Sequence, residues 1–108
     1  MDAGSFEITV EREDDVARLR LTGELDLARV AQLREAVQEA WAGGGRLEID
    51  LRDLSFIDSS GLRALIDVHN NAESSGSSYV LIPGRPEVHR TFELTGLTTV
   101  FRFAEATA

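Results

Sequence analysis

Phe56-Ile57-Asp58-Ser59-Ser60-Gly61-Leu62-Arg63-Ala64-Leu65-Ile66 is the stretch that decides the fold. Phe56 and Ile57 end a strand, residues 58–61 form a short polar turn, and an apolar helical pattern begins at Leu62, in a helix that runs from about Ser60. A strand handing over to a helix N-terminus leaves unpaired backbone N–H groups and the positive end of the helix dipole beside two hydroxyls. That field favours an anion, and a phosphate added to Ser60 would sit in it. The competing reading is a helix cap, because Asp and Ser are the usual residues for binding first-turn N–H groups. Ser59 reads as a cap or turn hydroxyl. Asp58 reads as the cap or as a partner contact.

Outward from this junction, strands alternate with helices. Phe6, Ile8 and Val10 alternate with Glu7, Thr9 and Glu11, the period-two pattern of a half-buried strand. Glu13-Asp14-Asp15 supplies a solvated turn, and Ala17, Leu19 and Leu21 alternate with Arg18, Arg20 and Thr22, so the first two strands form a hairpin. Val30, Leu33, Val37, Ala40 and Trp41 recur at helical spacing until Gly43-Gly44-Gly45 stops that helix. Leu47, Ile49 and Leu51 mark a third strand. Leu62, Leu65, Ile66 and His69 share one face of the second helix. Tyr79-Val80-Leu81-Ile82 is a fourth, more fully buried strand, Pro86 starts a third helix, and Gly96 stops it. Phe101 and Phe103 flank Arg102 in a terminal edge strand.

After the opening hairpin this order indicates an α/β sheet with parallel central strands. A parallel strand covered on both faces reads as a continuous apolar run, whereas strands one to three alternate cleanly. The helices therefore pack mainly on one face of a mixed, four- to five-stranded sheet and leave the other partly wet. The loops after parallel strands two and three emerge at the same edge, where open α/β sheets tend to bind, and this brings Asp26 near Ser60.

A length of 108 residues fits one domain spanning 1–108, and 43% apolar with 28% charged residues is ordinary for a globular chain. No run approaches the ~18 apolar residues of a membrane span, and Met1 to Ser5 lack the basic-then-apolar order of a secretory signal. Zero cysteines exclude disulfides and thiolate metal sites and fit a cytoplasmic protein. Eleven basic against nineteen acidic residues give a net charge of −8. Such a chain is repelled by nucleic acid and anionic membranes and favoured by basic protein surfaces.

Catalytic chemistry finds little support. His69 reads as a packed helix residue, and with no cysteine and no His-x-x-x-His spacing a zinc site lacks its ligands. Ser60-Gly61 is not the Gly-x-Ser-x-Gly elbow of a serine hydrolase. The glycine triplet lacks the Lys-Ser/Thr that completes a phosphate-binding loop. The chain reads as a non-enzyme without a metal.

Gly23-Glu24-Leu25-Asp26-Leu27-Ala28, Leu33-Arg34-Glu35-Ala36, Phe56-Ile57-Asp58-Ser59-Ser60-Gly61-Leu62, and Leu94-Thr95-Gly96-Leu97 with Val100-Phe101 together resemble a STAS domain of the bacterial anti-sigma factor antagonist family. The resemblance spans nearly the whole chain, in order and at the expected spacing. It implies a mixed sheet with helices mainly on one side. It also implies that the serine directly before the glycine, here Ser60, is phosphorylated by an anti-sigma factor that is itself a serine kinase and holds the ATP, so that the chain needs no cofactor of its own. The unphosphorylated form would bind that kinase and free a sigma factor; phosphorylation would end binding, and a serine phosphatase would restore it. Partner contacts carry over to Asp26, Asp58, Ser59, Ser60, Gly61 and Leu62. Arg29 stands where the family more often has a small hydroxyl residue, and an extra cation there could pair with a phosphate or alter partner choice. Two other readings share the fold: a regulatory or assembly subunit of a membrane transporter, with Ser60 as an interface contact, and a sensor module for a small ligand such as a nucleotide or lipid.

Overall fold

The computed structural model describes residues 4–104. Strands β1 (Phe6–Glu13) and β2 (Val16–Leu25) form the expected antiparallel hairpin, and β3 (Arg46–Ile57) and β4 (Ser78–Ile82) continue the sheet in parallel, in the order β1-β2-β3-β4. Helix α1 (Val30–Ala42) connects β2 to β3, α2 (Ser59–Ser75) connects β3 to β4, and α3 (Pro86–Leu94) follows β4. Each parallel strand is added on the same side of the one before it. Right-handed crossovers then bring the connecting helices to one face.

That face is the core. Leu19 and Leu21 of β2, Leu47, Ile49 and Leu51 of β3 and Leu81 of β4 are fully buried with Leu33, Leu65 and Phe92 from the helices. The open face carries charge instead. Arg18 pairs with Glu48 at 2.9 Å, and Arg20 lies between Glu11 at 3.5 Å and Asp50 at 3.8 Å. A sheet alternating apolar and ionic side chains buries one face and wets the other, as the strand pattern predicts.

Strand β3 departs from simple alternation. Its buried apolar residues run Leu47, Ile49 and Leu51, then Leu54 and Ile57 at steps of three. The cause is two register shifts against β2, between Arg20 and Thr22 and between Gly23 and Glu24, each of which gives β3 one extra residue. Every extra residue reverses the alternation, so Leu54 and then Ile57 return to the core. Gly23 permits the second irregularity. Its φ is +101°, and a Cβ there would lie 2.0 Å from the Ser5 carbonyl oxygen. The Leu47–Leu51 pattern and the Phe56-Ile57 strand end are thus halves of one strand.

Two details differ from the sequence reading and one agrees. Helix α2 starts at Ser59, one residue early. Helix α3 ends at Leu94 with Thr95 as its cap, and Gly96 follows in the left-handed conformation as the expected stop. Among the described residues the terminal edge strand is a single parallel bridge between Leu81 and Phe103, with hydrogen bonds from the Leu81 N–H to the Arg102 carbonyl and from the Ala104 N–H to the Leu81 carbonyl. Val10 of β1 is 59% exposed at the edge of the sheet.

Candidate functional site at the β2 and β3 ends

Leu25 and Ile57 are the last paired residues of β2 and β3, so Asp26 and Asp58 leave the sheet side by side. The Asp58 N–H donates to the Leu25 carbonyl at 3.3 Å, tying the two exits together. Each aspartate then caps a helical turn. Asp26 Oδ1 accepts the Ala28 N–H at 3.1 Å in the 3-10 turn Leu27–Arg29. Asp58 Oδ1 accepts the Gly61 N–H at 3.0 Å at the start of α2.

The α2 cap is therefore Asp58. Ser59 is the first helical residue and Ser60 the second, and among the described residues neither hydroxyl makes a hydrogen bond. Ser59 is exposed and Ser60 half-buried. Two unoccupied hydroxyls thus stand in the first turn of a capped, seventeen-residue helix.

Gly61 has a role that sequence reasoning missed. It is buried, and a Cβ on it would meet Ile57 Cγ1 at 2.8 Å and both Leu25 Cγ and the Leu25 carbonyl oxygen at 2.9 Å. The glycine lets the start of α2 sit directly on the ends of β2 and β3. A glycine inside a helix's first turn, where it costs propensity, is the available sequence signal.

Ser59 and Ser60 line an open groove of about 650 Å³ between α1 and α2. Its apolar residues are Leu27, Val30, Leu62, Ile66 and Leu97. Leu27 is 74% exposed, an unusual placing for a leucine without a partner. Polar groups line the groove as well: Arg63, one turn along α2 from Ser60, and the ion pair of Arg34 with Asp67 at 2.8 Å.

Arg29 is engaged inside the protein. Its Nη1 lies 2.7 Å from Asp26 Oδ2, and its Nη2 donates to the Gly4 carbonyl at 2.8 Å. The arginine thus neutralises Asp26 and fastens the segment before β1 against the site.

Both histidines are half-buried and packed against aromatic side chains. His69 Nδ1 lies 2.6 Å from the Tyr79 hydroxyl, which also accepts the Arg102 N–H at 3.2 Å, and His89 stacks against Phe92. Burial pushes the Tyr79 hydroxyl pKa up against the lowering effect of that Arg102 bond.

A helix-backed mixed sheet, bulged at β3, thus carries paired aspartates and two serines without hydrogen bonds among the described residues at one end. The family model described as "Mlab, STAS domain" matches residues 8–102. The chain belongs to the STAS domain family. The anti-sigma-B factor antagonist of Listeria monocytogenes is 30% identical to it over 91 residues, 83% of this chain and 80% of that one. An anti-sigma factor antagonist from Mycobacterium paratuberculosis aligns in structure with a TM-score of 0.80 at 27% identity, covering 94% of this chain and 87% of its own. The Bacillus cell fate determinant SpoIIAA in its phosphorylated form aligns with a TM-score of 0.70 at 26% identity, covering 94% and 92%. This STAS chain is therefore similar to anti-sigma factor antagonists over almost its full described length. No helix among the described residues is long and apolar enough to cross a membrane.

Proposed function

We propose that this STAS chain is an anti-sigma factor antagonist in a partner-switching system, with Ser60 as its phosphorylation site. Unphosphorylated, it binds an anti-sigma factor and frees the sigma factor. The anti-sigma factor, acting as a serine kinase with its own ATP, phosphorylates Ser60 and ends the binding; a phosphatase restores it. The contact surface is the end of the sheet where Asp26, Asp58, Ser59, Ser60, Gly61 and Leu62 come together.

One observation carries the reading. Asp58 takes the cap bond from Gly61, so the helix does not need the Ser60 hydroxyl, which is left free at a groove. The phosphorylated Bacillus relative supports it, as does the antagonist from Listeria. A serine in the first turn can accept a phosphate without losing the helix, because the N-terminal dipole favours the added charge.

The test is incubation with the cognate anti-sigma factor and Mg-ATP, followed by intact-mass measurement. The native chain and Ser59→Ala gain one phosphate, whereas Ser60→Ala gains none but still binds. Phosphate transfer to Ser60→Ala at the native rate would move the acceptor to another residue.

A further inference from the structure

We infer that Arg63 and Arg34 form a basic clamp that closes on a phosphate carried by Ser60. The inference rests on the phosphorylation reading above and adds what the protein does with the phosphate. Ser60 and Arg63 are three residues apart on α2, and such positions are neighbours, with Cβ atoms roughly 5–6 Å apart. Arg63 is exposed and forms no ion pair among the described residues. Its guanidinium is free to turn along the groove that both residues line.

Arg34 reaches the same groove from α1. Its partner Asp67 is seven residues beyond Ser60, roughly 10 Å along the helix axis, so the guanidinium cannot serve both ends fully. The side chains of Arg34 and Asp67 are 51% and 45% exposed. An ion pair that open is weakly held. A phosphate brings nearly two charges and three acceptor oxygens, and a guanidinium can bind two of those oxygens at once. The phosphate therefore outcompetes Asp67, whose carboxylate returns to water. Arg29, the other cation at this end, stays with Asp26 and the Gly4 carbonyl.

The clamp compensates the new charge within the chain. It also draws two guanidinium groups over the apolar floor of Val30, Leu62 and Ile66, so phosphorylation closes the groove as well as charging it.

Phosphoserine inserted at position 60 of the full chain by codon reassignment tests this without any kinase. The readout is the phosphate's second pKa by 31P NMR titration. Arg63→Gln should raise it by about 0.3 to 0.7 and Arg34→Gln by a smaller amount, the effect of removing an exposed ion-pair partner. Arg46→Gln, at the opposite end of β3, should leave it unchanged. The clamp is wrong if Arg63→Gln does not move the titration, or if Arg46→Gln moves it equally, which would mean that only net charge acts. Circular dichroism melts of each variant show that the fold is kept. A kinase that ignores Ser60 would overturn the functional reading and leave this titration intact, so the two failures are distinct.

Discussion

Arg29 and Asp26 hold one another at 2.7 Å across the first turn after β2. The pair matters because Asp26 also caps that turn through Ala28. Asp26 is consequently a local support, and under the proposed function it is a partner contact as well. Asp26→Lys places a second cation beside Arg29 and removes the cap, a loss of about 1 kcal/mol. In a domain of this size that lowers Tm by roughly 4–8 °C. Affinity for the anti-sigma factor should fall at least tenfold, by titration calorimetry. Asp26→Asn keeps the cap and loses the charge, so its Tm should lie nearer the native value while affinity still drops. Unchanged affinity in both variants would remove Asp26 from the interface.

Gly61→Ala tests the close approach of α2 to the sheet. The added methyl meets the Leu25 carbonyl oxygen at 2.9 Å, a backbone atom that cannot rotate aside. Overpacking of this kind costs about 1–3 kcal/mol, while alanine's better helix propensity returns at most ~1. We expect a net destabilisation, read as a lower urea midpoint at unchanged slope. A midpoint equal to the native one would mean that α2 shifts freely on the strand ends.

The same junction marks where sequence reading succeeds and where it stops. Alternation in β1 and β2 and helical spacing in α1 and α2 are local signals, so the elements, the one-sided packing and the shared exit of Asp26 and Asp58 are legible from the residues. The β3 bulges are not, because they depend on the partner strand: nothing in Leu51-Arg52-Asp53-Leu54 alone says that alternation slips there against β2. The capping role of Asp58 is half legible, since three adjacent residues can each cap and only the backbone path selects one. The engagement of Arg29 joins residues 25 positions apart, and no local pattern encodes it.

Asp50 gives the fold a predictable acid sensitivity. It is 1% exposed on the charged sheet face, where its carboxylate takes the Arg52 side chain at 2.8 and 3.0 Å and the Arg52 N–H at 3.0 Å. Burial alone pushes its pKa up, but the Arg52 hydrogen bonds and the charges of Arg52 and Arg20 outweigh burial and hold it below the ordinary 3.8. The folded state thus binds this proton less readily than the unfolded chain. The stabilisation is full well above pH 3.8 and is lost as pH falls through that value toward the lower folded one. Asp50→Asn should cost about 1.5–3 kcal/mol near pH 6, the worth of hydrogen bonds to a charged group. The gap from native should narrow steadily in denaturant titrations taken down to pH 3. A gap independent of pH would show that the Asp50 charge contributes nothing.

Ser60→Asp separates folding from binding at the switch. The side chain enters the first turn of α2, where the dipole contributes about 0.3–1 kcal/mol in favour of a negative charge. Asp58 keeps its bond to Gly61, so the variant should melt close to the native temperature. Within an interface the same carboxylate must be desolvated beside the apolar groove residues Leu27 and Leu62. Facing one acidic partner group, it also meets a repulsion of about 1 kcal/mol in water and ~4 at an effective dielectric of 20. A full phosphate, with roughly −1.5 to −2 charges, should raise the total penalty to about 3–5 kcal/mol, a loss of roughly 10² to 10⁴ in affinity. The single charge of aspartate should reproduce only part of that, about 10- to 100-fold, or ~1.4–2.8 kcal/mol. Ser60→Asn, which matches aspartate in size without its charge, should bind more tightly than Ser60→Asp. Equal affinities for the two variants would make bulk the cause of release, and the charge mechanism at Ser60 would fall.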